Sequence, residues 1–199
     1  MRGRSAQASM ELNGLLLLTS FLLHVKAGRA TPARLLCDTR LMHKYIGEAK
    51  DMEKRASQCQ ALPPLACPVV LPLVDFSIKQ WRAKTNETKR REIVCELALV
   101  AGAAAGAGAQ VTQECAGRQL RQLQRHAGSF LLLLQTFGWE EGPQEPGCSP
   151  RSVQHAQLAG VFLTYRQLVQ GKLRFFFHDL AKDTCEQGQG GGRDAPRAW

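Results

Sequence analysis

The residues best suited to chemistry in this 199-residue chain are seven cysteines and a few scattered histidines. No two cysteines form a Cys-x-x-Cys pair, and no cysteine and histidine stand at the spacing of a zinc site. The sequence also has no nucleophile elbow, phosphate-binding loop or paired acidic motif around a nucleophile. We therefore predict no enzyme, no metal and no cofactor, and we interpret the cysteines as disulfide partners. Because seven is odd, at least one thiol is free or bonded to another molecule.

The first thirty residues have the pattern of a secretory signal peptide. Arg2 and Arg4 precede a short apolar run at residues 12–25, and small residues around Ala30 suit a signal peptidase. The apolar run is too short for a comfortable membrane span. We predict cleavage after Ala30 and a secreted, extracellular chain in which disulfides persist. Residues 1–30 hold four cations and one anion, so cleavage lowers the formal charge from +9 to +6.

The positive charge of the chain excludes few classes of binding partner. A basic surface suits nucleic acid, an anionic surface or an acidic protein. The basic run Lys89-Arg90-Arg91 lacks the interleaved aromatic residues of single-strand and RNA binders, so we predict no nucleic-acid partner. No stretch after the signal peptide reaches the length of a membrane span, so we predict no membrane insertion.

Four segments repeat apolar residues every three or four positions, the spacing of one face of an α-helix. The last segment sets this apolar face against a cationic face that includes Lys172 and Arg174. The second segment begins near Thr85, where Thr or Asn can cap a helix, and Asn86-Glu87-Thr88 is an N-glycosylation sequon. The predicted helices cover about 37–55, 85–108, 116–137 and 151–185.

Long, short and long links join these four helices. Residues 58–84 contain several prolines, which rule out a continuous helix and indicate an extended strap over the core, anchored by Trp81. A dozen extended residues reach roughly 40 Å, more than the roughly 30 Å of a 20-residue helix, so both long links can be crossovers. We predict an all-α, long-chain four-helix bundle, up-up-down-down with two long crossover connections, at residues 31–185. A disordered Gly-rich tail follows at 186–199.

Three segments are similar to sequences of the erythropoietin/thrombopoietin family of four-helix cytokines. They read LLCDTRLMHKYIGEAK, PVVLPLVDFSIKQWRAKTNETK and FLTYRQLVQGKLRFFF, and the similarity extends over nearly all of residues 32–185. The most specific pieces are Cys37-Asp38-x-Arg40, Gly171-Lys172-x-Arg174 and Val-Asp-Phe-Ser followed by Trp81. The last of these favours the thrombopoietin branch of the family over the erythropoietin branch.

The resemblance implies a secreted haematopoietic growth factor that performs no catalysis. In the thrombopoietin branch, one ligand binds two copies of a class I cytokine receptor, the thrombopoietin receptor. The resemblance thereby implies stimulation of megakaryocyte proliferation, maturation and platelet production. The alternatives are an erythropoietin-like or other four-helix cytokine that acts on a different class I cytokine receptor, and a secreted helical lipid carrier.

The family pattern also implies two receptor-binding faces, one on the fourth helix with the strap and one on the first helix. Aromatic residues suit interface hot spots, while cations steer the encounter with an acidic receptor surface. In the alternative reading, Phe76 and Trp81 pack the strap on the core, and the first-helix cations form a solvated face. The implied contacts are Lys172, Arg174, Pro72, Asp75 and Phe76 on the first face, and Asp38, Arg40 and Lys44 on the second.

The same resemblance implies two disulfides, Cys37 with Cys185 and Cys59 with Cys115. Three further cysteines have no counterpart in the family pattern. Either Cys67 pairs with Cys148, or Cys59 closes a short loop with Cys67, and the sequence does not choose between them. Cys95 is the third cysteine without a counterpart in the family pattern.

Overall fold

A computed structural model describes residues 39–59, 64–136 and 148–185. The predicted signal peptide, the predicted tail and the predicted site residues Cys37 and Asp38 lie outside the described residues. Within these ranges, two short strands and six α-helices follow one another, with a π-helical turn between the last two helices. They are α1 (Thr39–Ser57), β1 (Val69–Pro72), α2 (Ile78–Arg82), α3 (Asn86–Gly108), α4 (Glu114–Thr136), β2 (Ser152–His155), α5 (Leu158–Leu168), the π-helical turn (Val169–Leu173) and α6 (Arg174–Cys185).

Contacts between α1 and α4 show that these two helices run in opposite directions. The rings of Tyr45 and Phe130 lie 4.6 Å apart between centroids, near the start of α1 and toward the end of α4. Arg55 Nε, near the end of α1, donates to Gln119 Oε1, near the start of α4, at 3.1 Å. The first and third long helices are therefore antiparallel neighbours.

The fourth long helix, formed by α5, the π-helical turn and α6, runs antiparallel to α3. Asn86 Nδ2, at the start of α3, lies 3.2 Å from Asp183 Oδ2, near the end of α6. One turn further along α3, Lys89 Nζ lies 2.8 Å from Asp179 Oδ2. Because a short link also makes α3 antiparallel to α4, the four long helices have the predicted up-up-down-down order.

The two long connections pair with each other as a two-stranded antiparallel ribbon. Val69 lies opposite His155 and Pro72 lies opposite Ser152. The strap is therefore extended as predicted, but the start of the fourth helix is not at residue 151: residues 152–155 form β2, and α5 begins at Leu158. This strand supplies the backbone hydrogen bonds that β1 would lack as a single strand over the core.

The apolar face predicted for the fourth helix is confirmed by its burial. Its nine members are Leu158, Val161, Phe162, Tyr165, Leu168, Val169, Leu173, Phe176 and Leu180, and all are buried. They pack on buried residues of the other long helices, such as Met52, Leu97 and Leu123. Trp81 is also buried, as the anchor of the strap, within the short helix α2 that the sequence did not predict. No helix in the described part of the chain is long and apolar enough to cross a membrane.

The fourth helix is interrupted near its middle. Residues Val169–Leu173 form the π-helical turn, in which Gly171 has non-helical dihedrals of φ −93° and ψ −106°. A Cβ at Gly171 would lie 3.6 Å from Phe76 Cγ, so the ring of the strap packs directly on this turn. The sequence predicted one continuous helix, because the apolar positions before and after Gly171 keep helical spacing across the interruption.

Candidate functional site

Lys172 was expected on a cationic surface, and the structure places it in the interior. Its side chain is 4% exposed. Its Nζ lies 2.6 Å from Glu92 Oε1 and also contacts Glu96 Oε1, both on α3. Lys172 follows Val169 by three residues and Leu168 by four, so it lies on the buried face of the fourth helix and points toward α3. The prediction of an exposed Lys172 was therefore wrong.

The pKa values of the two glutamates shift in opposite directions, although Lys172 acts to lower both. Burial opposes ionisation of Glu92, but hydrogen bonds from Lys172 and Lys84 outweigh it and lower the pKa of Glu92. Burial raises the pKa of Glu96, against the hydrogen bond from Lys172. Two lysines, Lys84 and Lys172, face these two glutamates, so the charges balance within the protein. The four side chains link α3 to the fourth helix and offer little to a partner.

A second set of internal contacts holds the far end of the strap. The Nζ atoms of Lys84 and Lys89 lie 5.8 Å and 5.7 Å from the centroid of the Trp81 ring. Lys89 is itself buried and paired with Asp179 on α6. The indole therefore packs beneath two cations, each of which also has a carboxylate partner, an arrangement that stabilises the strap against α3.

The strap residues predicted for the first face differ in their exposure. Pro72 is buried in β1, so its predicted surface position was wrong. Asp75 is exposed and forms an ion pair with Arg151, the residue just before β2. Phe76 is half-buried, with ring centroids 5.0 Å from Phe175 and 5.6 Å from Trp81.

The described residues thus form one continuous surface from the strap to α6. Asp75 and Phe76 supply the strap side, and Arg174 is exposed on α6 with its guanidinium 5.9 Å from the Phe175 ring. Sequence reasoning missed Arg151 and Phe175. The partner of Asp75 could not be found from sequence, because the pairing of β1 with β2 brings it there from the other crossover.

The second predicted face lies where α1 packs on α4. Arg40 is exposed, and Lys44, with a side chain 69% exposed, lies 3.9 Å from Glu48 Oε1. His126 of α4 faces Glu48 across the helix pair, with 3.6 Å between Nδ1 and Oε2. Burial lowers the pKa of His126, and Arg125 and Lys44 are close enough to lower it further, so the face extends from α1 onto α4.

Sequence reasoning assigned no residue of α4 to this face. The exposed positions Arg121, Arg125, Gly128 and Leu132 recur at helical spacing, and Leu132 has 64% of its surface exposed. The sequence contained this information, because these exposed positions lie on the side of α4 opposite its buried apolar stripe. Only the packing of α1 against α4 shows that it adjoins Lys44.

Comparison with known proteins identifies the family of this chain. The Erythropoietin/thrombopoietin family model matches residues 34–188. The chain is 34% identical to dog (Canis lupus familiaris) thrombopoietin over 88% of its own length and 49% of the relative, and 34% identical to rat (Rattus norvegicus) thrombopoietin over 83% and 50%. The chain belongs to the erythropoietin/thrombopoietin family. It is therefore a four-helix cytokine of a family of non-enzymatic signalling hormones, as the resemblance implied.

Erythropoietins match the chain less closely but over more of their length. Rat erythropoietin is 27% identical, over 87% of this chain and 95% of the relative. The chain spans about half the length of the thrombopoietins that it matches. Members of the erythropoietin/thrombopoietin family bind class I cytokine receptors, which agrees with a fold that carries two distinct surfaces.

The disulfides of this erythropoietin/thrombopoietin-family chain tie both crossovers to the helices. Cys59, just after α1, is bonded to Cys115 at the start of α4. Cys95 of α3 is bonded to Cys148, and Cys67 is exposed with a free thiol, so neither of the alternatives considered for Cys67 is formed. Cys185 is disulfide-bonded, while its expected partner Cys37 lies outside the described residues.

The predicted glycosylation site lies at the first residue of α3. Thr85 caps the helix, as the sequence predicted, because its side chain accepts a hydrogen bond from Thr88 N. Asn86 is half-buried, and its Nδ2, the atom that a glycan would modify, donates to Asp183. A glycan at Asn86 would take the place of one of the two Nδ2 hydrogens, directly beside this contact between α3 and α6.

Proposed function

We propose that this chain is a secreted haematopoietic cytokine that binds and dimerises the thrombopoietin receptor. In this proposal it stimulates megakaryocyte proliferation, maturation and platelet production, and it has no nucleic-acid partner and no cofactor. The identity of about one third to thrombopoietins over most of this chain supports the thrombopoietin branch. The apolar run before Ala30 supports secretion.

The observation that carries the proposal is the packing of Phe76 against Gly171 at the interruption of the fourth helix. This contact joins the strap to α6, so that Asp75, Phe76 and Arg174 form one surface. Aromatic side chains rimmed by charged groups are typical of interface hot spots. We assign Arg174 as the cation that meets the receptor, because Lys172 is buried and paired.

The second face is formed by α1 and α4 and differs from the first in composition. It presents Arg40, Lys44 and Arg125 with the exposed Leu132. One rigid ligand with two unlike faces can hold two identical receptor chains at a fixed spacing. Cytokine activity in this proposal requires both faces, whereas simple binding requires only one.

A reporter assay tests this function. Cells that carry the thrombopoietin receptor or the erythropoietin receptor of the same species are treated with the secreted mature chain and with the Arg174→Glu variant. We expect signalling only through the thrombopoietin receptor and a loss of signalling in a variant with wild-type helicity. Silence of the folded wild type on thrombopoietin-receptor cells would contradict the proposal.

The second candidate function is signalling through the erythropoietin receptor. It is favoured by one observation, namely that the chain is also 27% identical to rat erythropoietin over 87% of its own length. The same assay separates the two candidates, since activity on erythropoietin-receptor cells alone would retain the cytokine fold and reassign the receptor.

A further inference from the structure

The strap runs along α3 in the direction opposite to the helix, and it is attached at its two ends. At one end, the Gln110 side chain bonds both the backbone N–H of Cys67, at 2.8 Å, and its carbonyl, at 2.9 Å. At the other end, Trp81 is buried beneath Lys84 and Lys89. Both ends are therefore held by residues of α3 or by residues directly before and after it.

The middle of the strap is held in a different way. Leu73 N donates to the carbonyl of Arg151 at 2.8 Å, and Asp75 pairs with the guanidinium of the same residue. Within this part of the strap, Asp75 N also donates to Leu73 O at 3.0 Å, a backbone hydrogen bond that does not reach another element. Leu73 and Asp75 therefore depend on the position of Arg151, whereas Phe76 is also held by its packing on Gly171 and Phe175.

Arg151 is in turn only three residues from a covalent attachment to α3. Cys148 is bonded to Cys95, a buried residue in the middle of α3. Cys95 lies between the two ends of the strap, since Gln110 holds one end and Lys89 the other. The disulfide thus anchors the second crossover beside the part of the strap that Arg151 holds.

We infer that the Cys95–Cys148 disulfide positions the middle of the strap, and that Asp75 keeps its place on the first receptor-binding face only while the disulfide is intact. This inference rests on the proposed function for its effect on receptor binding. Its structural part concerns the Leu73–Arg151 contact alone. Both cysteines are positioning residues and neither contacts the receptor.

The chain offers a matched control for the experiment. The Cys95–Cys148 and Cys59–Cys115 disulfides span 53 and 56 residues. Their removal therefore releases nearly the same loop-closure entropy in the unfolded chain, at different places in the fold. One double variant is Cys95→Val with Cys148→Ser, and the control is Cys59→Ser with Cys115→Ser. Both carry Cys67→Ser, so that no free thiol can exchange with the remaining disulfides.

Two quantities are measured, namely amide hydrogen exchange at Leu73 and affinity for the receptor ectodomain at each face. We expect the Leu73 amide of the Cys95→Val/Cys148→Ser variant to exchange at least about tenfold faster than that of the control. Affinity at the first face should fall roughly tenfold, and affinity at the α1–α4 face should not change. Equal exchange in the two double variants, or faster exchange with unchanged first-face affinity, would overturn the inference.

Two further arms keep the test decisive. If the Cys95→Val/Cys148→Ser protein does not fold, Cys148→Ser with Cys67→Ser takes its place, because it breaks the same bond and leaves the buried Cys95 unchanged, and a wild-type first-face affinity with slow Leu73 exchange would overturn the inference. If the wild-type chain does not bind the receptor, the proposed function fails. The exchange rates of Leu73 in the two double variants still decide whether the disulfide positions the strap.

Discussion

The ammonium group of Lys172 lies 2.6 Å from Glu92 Oε1, in a site where the lysine side chain is 4% exposed. Glu96 completes the group from one turn further along α3. A buried charge pair gives little net stability over an apolar pair, but breaking it leaves an uncompensated charge. Lys172, which the family resemblance implied as a receptor contact, therefore forms an internal link between two helices.

We expect Lys172→Met to lower the free energy of unfolding by about 3 kcal/mol, because it leaves the buried Glu96 without its cation, while Glu92 keeps Lys84. Urea unfolding followed by circular dichroism measures this change. The matched control is Arg174→Gln, which is exposed and should change stability by no more than about 0.5 kcal/mol. A Lys172→Met protein with wild-type stability and lost receptor binding would show instead that Lys172 contacts the receptor.

The stability of the α1–α4 pair should depend on pH through His126. Burial is the main cause of the lowered pKa of His126, and Glu48 opposes the shift. Three nearby cations, Arg125, Lys44 and Arg55, add to it. Below a pH of about 6.5 the unfolded chain gains a proton that the folded chain resists, so stability is complete above that pH and falls as the pH decreases through it.

Urea unfolding of the wild type and His126→Gln at pH 7.5 and pH 5.5 tests this dependence. We expect the wild type to lose more stability than the variant between the two pH values. Since other groups also titrate in this range, the comparison of the two proteins is the measurement, and the absolute loss is not. Parallel losses in both proteins would exclude His126 as the cause.

Removal of the Cys59–Cys115 disulfide should destabilise the fold without moving the first face. The bond closes a loop of 56 residues, and the double variant Cys59→Ala/Cys115→Ala should lose about 2–4 kcal/mol. Thermal unfolding by calorimetry measures the loss. Cys67→Ser, at an exposed free thiol, is the control and should fall within about 0.5 kcal/mol of the wild type.

Charge reversal on one face at a time should separate binding from signalling. Lys44→Glu alters the α1–α4 face and should reduce signalling about tenfold while one receptor chain still binds at the first face. Arg174→Glu should weaken binding at the first face by a similar factor. Receptor ectodomain titrations that count bound chains, together with the reporter assay, check both. Loss of all binding in Lys44→Glu would contradict the two-face arrangement.

Glycosylation of Asn86 is a prediction that a mass measurement decides. The chain secreted from mammalian cells should lose mass on treatment with an amidase that removes N-linked glycans, and Asn86→Gln should not. Because the Asn86–Asp183 contact is exposed, a glycan beside it should change stability by less than about 1 kcal/mol. An unchanged mass after the treatment of the wild type would show that the sequon is not used.

Much of the fold could be predicted from local patterns. The nine apolar positions of the fourth helix are all buried, and Thr85 caps α3, because helical spacing and cap chemistry are local properties of the chain. Strand β2 and helix α2 were missed. Four residues such as Ser152–His155 carry too little periodicity to outweigh a neighbouring helical pattern, and they become a strand because β1 is available to pair.

The sequence by itself determined the four helices, their order, the family and the types of residue on each face. Only the tertiary structure decided which cations reach the surface. Lys172 and Arg174 are two residues apart and point to opposite sides of the helix, and the packing of that helix on α3 buries the first and leaves the second exposed. Likewise, Cys148 pairs with Cys95 because the two crossovers pass together over α3. Such outcomes depend on contacts between residues distant in sequence, and no local pattern encodes them.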